Sequence, residues 1–436
     1  MSALHPRRLL LLALILGCIG TLVWMLRPPS VIEDQAPAVP LPETARAPLA
    51  QPTGPVRLGI EVLLSKGEPG LEGKRLGLIT NPSGVDSRLV MTADLLARDP
   101  RWKLVQLFSP EHGVRGDVLA GDKVHSSVDQ STGLPVESLY GDQRAPSATA
   151  LSRVDALLFD IQDVGSRTYT YISTLGEVMR AAAAAKKPLY VLDRPNPIGG
   201  VLFEGPVIEE GFRSFIGYGP MPVSHGMTVG EVARFFQREL ALDLDLHVIA
   251  MTGWRRTMTW SDTGLPWVPT SPHIPHAISA QVYIATGMIG GISKNVNDGV
   301  GWTAPFETLA AEFIDARAFR AELESAALPG VSFREVHYTP TYHRHKGLNL
   351  HGVQLHLTQA SEFRPLRTSL TILCTLQRMY GDELTLEDAP VLGRHWGTLS
   401  VFDSLRAGKS AAEIEAAWQP LLADFEKRRA LALIYE

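Results

Sequence analysis

Four short apolar runs in the first half of the chain each end in a cluster of polar, Gly and Pro residues. They are Arg75–Gly84, Lys103–Gly113, Ala156–Arg167 and Leu189–Gly200. Stretches of helical periodicity lie between and after them, over residues 89–98, 172–187 and 228–240. Short β-rich runs that alternate with helices are typical of a parallel sheet buried on both faces. The pattern therefore predicts an α/β fold built on a Rossmann-like parallel sheet.

The pattern changes after Met251, where Gly, Pro and Trp become frequent and long periodic runs become rare. Short strands are predicted over residues 331–343 and 352–359, and helices over residues 368–380 and 411–429. Mixed short strands and helices indicate a second, smaller α+β domain. We therefore predict a Rossmann-like catalytic domain over residues 57–251 and an α+β domain over residues 252–436.

The N-terminal segment, residues 1–26, contains an apolar run without charge, Leu9–Leu26, preceded by Arg7 and Arg8. This length is at the lower limit for a membrane-spanning helix, and the arginines favour an amino end in the cytoplasm. Three interpretations stay open: an uncleaved membrane anchor, a cleaved signal peptide, and a lipoprotein processed at Cys18. All three predict an exported body, periplasmic or at the cell surface. Residues 27–56 are rich in Pro and Ala and predict an extended linker.

The composition excludes some classes of partner. Of the 436 residues 45% are hydrophobic and 20% charged, and the formal net charge is −5. These values are typical of a globular protein. The negative net charge differs from the excess of basic residues that a nucleic-acid binder carries. We therefore expect no nucleic-acid partner.

The carboxyl ends of parallel strands meet at one edge of the sheet, where ligands bind in such folds. Polar residues at all four predicted strand ends therefore indicate one site assembled from four loops. The candidates at these ends are Asn81, Glu111, His112, Asp160, Asp163, Arg167, Asp193 and Arg194. Two later loops add a carboxyl group and an imidazole, Glu204 and His225.

Each candidate also has a structural alternative. Glu111 could act as a general acid, or it could cap the next helix or pair with Arg115. Asp163 is the better candidate for ligand contact, whereas Asp160 could equally accept backbone hydrogen bonds. Asp193 and its neighbour Arg194 could pair with each other. The loop histidines, His112 and His225, could bind substrate or make structural hydrogen bonds.

Several catalytic motifs are missing from the sequence. There is no GxSxG elbow, no HExxH and no P-loop, and Gly217-Tyr218-Gly219 lacks the third glycine of a dinucleotide fingerprint. Four side chains could in principle bind a metal, but no pair among them has the spacing of a known site. They are His112, Asp160, Asp163 and His225. We therefore predict no cofactor and no metal.

A site rich in carboxylates and flanked by aromatic residues suits carbohydrate. Glycoside hydrolysis generally needs two carboxyl groups across the scissile bond. The faces of Trp and Tyr rings offer apolar platforms for sugar rings, and an arginine grips an acidic sugar through its carboxylate.

Six segments, taken together, resemble a known family. They read NPSGVD (81–86), SPEHGVRGD (109–117), DIQDVGSRTYTYISTL (160–175), LDRPNPIGG (192–200), EGP (204–206) and MPVSHGMTVGE (221–231). In this order they resemble the exo-β-N-acetylmuramidase family of glycoside hydrolases, over about residues 57–436.

The resemblance implies a Rossmann-like domain joined to a smaller domain, with the active site between them. It implies an enzyme of cell-wall recycling that releases N-acetylmuramic acid from the non-reducing end of peptidoglycan fragments. The glutamate of the SPEHG motif, Glu111, becomes the leading catalytic candidate. His112, Asp160, Asp163 and Arg167 become residues that line the site, and Arg167 suits the lactyl carboxylate of the sugar.

The sequence departs from the family pattern at three places. Ser224 stands where the family usually has an arginine, and His273 stands where it usually has an asparagine. The family segment EGTNVSVGRGT is here GGISKNVNDGVGWTAP, Gly290–Pro305, without the glutamate. These departures favour an altered specificity or a weakened activity. The alternatives are a sugar-binding protein of the cell wall on the same fold, or a hydrolase for a related sugar or an amide.

Overall fold

The computed structural model describes residues 56–116 and 127–436. The predicted N-terminal anchor and nearly all of the predicted linker lie outside the described residues. Among the residues that the structure describes, no helix has the length and apolarity that a bilayer span requires. The described residues belong to one compact unit, so the predicted domain boundary near residue 251 stays a prediction.

The predicted α/β fold with a mainly parallel sheet is confirmed. The strands are β1 Arg75–Thr80, β2 Lys103–Ser109, β3 Ser127–Val128, β4 Pro135–Ser138, β5 Ala156–Asp160, β6 Leu189–Leu192 and β7 Leu246–Ile249. Their order in the sheet is β3-β4-β2-β1-β5-β6-β7. Every neighbouring pair is parallel except β3 and β4, which pair antiparallel at the edge.

Helices cover both faces of this sheet, because successive strand residues point to opposite faces and both sets are apolar. The helices are α1 Gly59–Lys66, α2 Thr92–Arg98, α3 Ala148–Arg153, α4 Tyr171–Ala184 and α5 Val229–Glu239. In β5, Leu157 and Phe159 pack in the core under α4 and α5. Leu158 points the other way, into the core under α1 and α2. The sheet is therefore doubly wound.

Helix α2 begins later than the periodicity predicts. The predicted start at residue 89 is wrong because the chain folds back on itself before the helix: Val85 pairs with Met91, and Leu89 has a φ of 66°. Helix α5 begins as predicted, with a capping box. The hydroxyl of Thr228 accepts from the Glu231 N–H, and the Glu231 carboxylate accepts from the Thr228 N–H.

The rest of the chain forms the predicted smaller α+β region. Its antiparallel sheet has the order β8-β10-β9, with β8 Thr308–Ala311, β9 Val331–Tyr338 and β10 Leu350–Leu357. Its helices are α6 Ala277–Gly290, α7 Ala316–Ser325, α8 Pro365–Tyr380, α9 Ala389–Trp396, α10 Ser400–Arg406 and α11 Ala411–Ala430. They share one apolar core with the sheet. Strand β9 ends before Pro340, earlier than predicted, because a proline cannot donate to the ladder.

The last residues of the chain return to the first sheet. The Tyr435 hydroxyl donates to Asp193 Oδ2 at 2.5 Å, just after β6. The N–H of Ile434 donates to Glu231 Oε1 of α5 at 2.8 Å, and the Arg256 N–H donates to the carbonyl of Glu436 at 2.9 Å. Residues 434–436 therefore complete the environment of two buried carboxylates in the Rossmann-like region.

The strand order identifies where a ligand would bind. Strand β1 lies between β2 and β5, so the chain turns to one side of β1 for β2 and to the other side for β5. The loops after β1 and β5 consequently diverge and leave a crevice beyond their carboxyl ends. Asn81 and Asp163 lie on these two loops.

Candidate active site

The loop after β1 is fixed to the loop after β5 and to a third segment. Asn81 Oδ1 accepts from the Ser83 N–H at 2.9 Å, and the Ser83 hydroxyl accepts from the Gln162 N–H at 3.0 Å. Asn81 Nδ2 donates to the carbonyl of Thr270 at 3.2 Å. Asn81 thus joins the switch point of the sheet to the segment that precedes α6.

Asp163 and His225 face each other in the interior, beyond the carboxyl end of β5. Asp163 Oδ2 accepts from the Gly165 N–H at 2.7 Å and lies 3.3 Å from His225 Nε2. His225 Nδ1 accepts from the Met227 N–H, so we assign the ring proton to Nε2, toward Asp163. The other carboxylate oxygen, Asp163 Oδ1, is buried without a hydrogen-bond partner among the described residues. A buried acceptor of this kind is suited to a donor from a ligand.

Glu111 lies on a sharp turn just beyond β2. The next residue, His112, is buried and has a φ of 73°, a left-handed conformation that is uncommon for a residue other than glycine. Burial and the neighbouring Glu111 carboxylate, which accepts a hydrogen bond from Tyr140, raise the pKa of Tyr140 to about 12. The alternative partner predicted for Glu111, Arg115, binds Asp94 and Asp129.

Three buried or half-buried tyrosines connect the surroundings of Glu111 and Asp163. The ring of Tyr169 packs edge-on against Tyr171 at 5.0 Å and against Tyr283 at 5.7 Å. Burial, together with a minor contribution from Glu111, raises the pKa of Tyr171. Burial also raises the pKa of Tyr283, with a minor contribution from Asp163. Glu111 and Asp163 therefore both lie within electrostatic range of one tyrosine cluster, defined by residues 169, 171 and 283.

Thr270 holds this tyrosine cluster in place. Its carbonyl accepts from the Tyr171 hydroxyl at 2.6 Å, and its hydroxyl bonds that of Tyr169 at 2.6 Å. The Tyr283 hydroxyl lies 3.3 Å from that of Thr168. The hydroxyls are thus oriented by the protein before any ligand arrives, which favours a preorganised binding site.

Asp160 and Arg194 form a buried ion pair rather than open ligand contacts. Arg194 Nε donates to Asp160 Oδ1 at 2.5 Å, and Arg194 Nη2 donates to Oδ2 at 2.9 Å. The Thr92 hydroxyl donates to the same Oδ2, and Arg194 Nη2 also donates to the carbonyl of Val85. The pair therefore fixes the loops after β1, β5 and β6 relative to one another, which positions the crevice.

Asp193 is likewise occupied by protein donors. Its carboxylate accepts from the N–H groups of Arg194 and Gly230 and from the hydroxyls of Thr228 and Tyr435. The sequence left open a pairing of Asp193 with the side chain of Arg194, but that side chain binds Asp160. Asp193 instead ties the end of β6 to the start of α5.

Arg167 and Glu204 form hydrogen bonds with the ends of helices in the smaller α+β region. Arg167 Nη2 donates to the carbonyl of His395 at 2.9 Å, at the end of α9, and burial lowers the pKa of Arg167 to about 9. Glu204 accepts from Arg364 Nε at 2.5 Å and from the Leu366 N–H at 3.1 Å, at the start of α8. Burial raises the pKa of Glu204. Their role in binding substrate stays a prediction.

The structure adds a residue that sequence reasoning did not place in the site. His273 stacks on Tyr342 with the ring centroids 6.0 Å apart, and His343 lies 6.1 Å away. Burial and the neighbouring His343 and His112 lower the pKa of His273, against an opposing contribution from Glu111. His273 therefore lies near Glu111, at a position where the sequence departs from the family pattern. This departure from the family pattern is the feature of the sequence that could have identified His273 as a site residue.

The described residues contain no group of three or more His, Cys, Asp or Glu side chains that could hold a metal ion. What the crevice offers is a half-buried glutamate, an aspartate with a free acceptor oxygen, two imidazoles and oriented tyrosine hydroxyls. These groups can exchange protons with a bound molecule and accept its hydrogen bonds.

Comparisons with known proteins identify the family of the chain. The family model described as "Exo-beta-N-acetylmuramidase NamZ, N-terminal" matches residues 76–278, and its C-terminal counterpart matches residues 281–435. The peptidoglycan beta-N-acetylmuramidase NamZ of Bacillus subtilis (strain 168) is 43% identical over 380 residues, which are 87% of this chain and 91% of the relative.

Two solved structures share the fold. Both are DUF1343 family proteins from Bacteroides fragilis NCTC 9343. One has a TM-score of 0.81 at 39% identity, and the other a TM-score of 0.71 at 27% identity. Each comparison covers 87% of this chain and 99% of the solved chain. The chain belongs to the exo-β-N-acetylmuramidase family.

Proposed function

We propose that the protein is an exo-acting glycoside hydrolase that releases N-acetylmuramic acid from the non-reducing end of peptidoglycan fragments. What carries this proposal is that the chain belongs to this family and that Asp163, just beyond β5, keeps a buried carboxylate oxygen without a hydrogen-bond partner among the described residues.

Glu111 protonates the leaving glycosidic oxygen. Its carboxyl group is half-buried and hydrogen-bonded to Tyr140, which fixes its orientation at the edge of the crevice. A positioned acid of this kind typically contributes 10²–10⁴-fold to the rate, roughly, through proton transfer in the transition state.

Asp163 acts on the sugar itself, through its unpartnered Oδ1. Two schemes are compatible with this geometry. In the first, the Asp163 carboxylate stabilises the oxocarbenium ion or activates water. In the second, the N-acetyl group of the substrate is the nucleophile, and Asp163 accepts a hydrogen bond from its N–H. In both schemes the Gly165 N–H holds Asp163 Oδ2 in place, and His225 Nε2 lies beside that oxygen at 3.3 Å.

The direct test of the proposed function is release of free sugar. The purified protein is incubated with a chromogenic N-acetylmuramic acid glycoside and with a panel of muropeptides, and products are identified by mass. We expect free N-acetylmuramic acid. Saturable binding without turnover would instead support a cell-wall sugar-binding protein, the alternative that the altered segment 290–305 favours. A product from another sugar or an amide bond would redefine the substrate.

Asp163→Asn should lower kcat/KM for sugar release by about 10²-fold, the lower end of the effect of a proton-transfer or charge-stabilising group. The fold should be retained, because the amide oxygen can still accept from the Gly165 N–H. Steady-state kinetics and thermal melting measure the two effects. Asp403→Asn, at an exposed carboxylate, is the matched control. Equal kcat/KM in both variants would exclude Asp163 from the reaction.

We also propose that the enzyme is exported and held at the membrane by residues 1–26, where it would meet peptidoglycan. The support is the uncharged run after two arginines. Cell fractionation should place the full chain with membranes, and deletion of residues 1–26 should leave it in the cytoplasm. The intact mass of the exported protein separates an anchor from cleavage or lipid attachment. A full chain found in the cytoplasm would refute export.

A further inference from the structure

Two aromatic side chains are exposed in the part of the chain that the structure describes. They are Trp302, 36% exposed, and Tyr342, 47% exposed, whereas every other described Trp, Tyr and Phe is buried or half-buried. The two lie on adjoining loops, because the Thr341 N–H donates to the carbonyl of Gly301 at 2.8 Å. A Cβ atom at Gly301 would collide with the carbonyl oxygen of Tyr342, so the loops touch at a glycine. The exposed rings therefore belong to one region of the surface.

Each exposed ring is supported by another ring. The ring of Tyr342 lies nearly parallel to that of His273, with the centroids 6.0 Å apart and the planes 23° apart. The ring of Trp302 lies in the same way against the buried Tyr338, at 5.6 Å and 21°. Packing of this kind fixes the orientation of the exposed ring before a ligand arrives, which lowers the entropy lost on binding.

His273 connects Tyr342 to the crevice. It lies three residues after Thr270, whose carbonyl accepts from Asn81 Nδ2 at 3.2 Å. The same carbonyl accepts from the Tyr171 hydroxyl at 2.6 Å. The segment that carries His273 is therefore anchored at the switch point of the sheet, and Tyr342 lies on the solvent side of this segment.

The surface around Tyr342 is also the surface beside Glu111. The Glu111 and His112 side chains lie within electrostatic range of His273. In the proposed reaction Glu111 protonates the oxygen between the released sugar and the rest of the substrate. Because Glu111 is half-buried at the edge of the crevice, the rest of the substrate has to extend from there over the neighbouring surface. Tyr342 is the exposed ring next to that path.

We propose that Tyr342, supported by His273, binds the saccharide that leaves, by stacking against the first sugar beyond the scissile bond. A sugar ring has an apolar C–H face that matches an exposed aromatic ring. The imidazoles of His273 and His343, whose centroids are 6.1 Å apart, can bond the hydroxyls of this sugar. The inference rests on the proposed function and deepens it, because it identifies a residue that determines specificity for the part of the substrate that is not released.

The test compares two substrates that differ in the leaving group. One is N-acetylmuramic acid β-1,4-linked to N-acetylglucosamine, and the other is the methyl β-glycoside of N-acetylmuramic acid. Tyr342→Ala should raise KM for the disaccharide about 5–10-fold at nearly unchanged kcat, as expected for the loss of one stacking contact. KM for the methyl glycoside should stay within about twofold of the wild type, since no sugar ring reaches position 342.

Two further variants control this comparison. Tyr342→Phe keeps the ring and should behave as the wild type toward both substrates. Leu421→Ala removes an exposed apolar side chain of α11, 53% exposed, and should change neither KM. Circular dichroism and thermal melting verify that the variants fold.

Three outcomes would overturn the inference. They are an unchanged KM of Tyr342→Ala for the disaccharide, an equal rise of KM for both substrates, and a change of sedimentation without a change of KM, which would assign the ring to a contact between copies of the chain. If the wild type releases no sugar from either substrate, the proposed function fails. Calorimetry then decides on Tyr342: weaker binding of the disaccharide alone by Tyr342→Ala would support the platform, and unchanged binding would refute it.

Discussion

Glu111→Gln should lower kcat for sugar release by about 10³-fold, within the range for removal of a general acid, and leave KM nearly unchanged. Glutamine keeps the size of the side chain and can still accept from the Tyr140 hydroxyl. It cannot donate a proton to the leaving oxygen. The expected result is thus a defect in the chemical step with intact binding. Release of free sugar from a muropeptide measures the first, and calorimetric titration with the muropeptide measures the second.

Substrates with different leaving groups make this test specific for proton donation by Glu111. A substrate whose aglycone departs without protonation, such as a nitrophenolate with a low pKa, should lose less activity in Glu111→Gln than a natural muropeptide does. A glutamine at an exposed glutamate, Glu72, controls for the change of charge. Full activity of Glu111→Gln toward muropeptides would remove Glu111 from the mechanism.

Asp160→Ala should destabilise the fold by about 3–5 kcal/mol, the usual loss when one member of a buried ion pair is removed. The variant leaves the Arg194 guanidinium buried, 3% exposed, without its carboxylate. It also leaves the Thr92 hydroxyl without its acceptor. The loss should appear as a lower midpoint in urea denaturation followed by tryptophan fluorescence.

An exposed ion pair provides the contrast for this prediction. Asp403 and Arg406 lie 2.9 Å apart with side chains 70% and 67% exposed. Asp403→Ala should therefore cost less than about 1 kcal/mol. A similar loss in the two variants would show that the Asp160–Arg194 pair does not organise the loops of the crevice.

The parts of the fold that the sequence predicted are those with a local signal. The apolar runs with polar ends mark β1, β2, β5 and β6, and the Thr228–Glu231 pair marks the start of α5. Helix α6 was missed because it is apolar on all sides: it is buried among other elements and shows no amphipathic stripe.

The roles within the site depended on tertiary contacts and were harder to predict. Asp160 and Asp163 look alike in the sequence, yet Asp160 meets Arg194 from the next strand and Asp163 meets His225. Arg167 is suited in the sequence to a substrate carboxylate, but in the structure it donates to the carbonyls that end α9. Which carboxylate pairs with an arginine depends on the order of the strands in the sheet. No local sequence pattern encodes that order.

The return of the last residues to the first sheet has a consequence for synthesis. The hydrogen bond from Tyr435 to Asp193 joins positions 242 residues apart in the chain. Contacts between residues so far apart in the sequence form late. A nascent chain therefore cannot complete the packing of its amino-terminal half before the last residues leave the ribosome. Delayed folding of this kind would suit the export proposed above, because a translocon accepts only an unfolded chain.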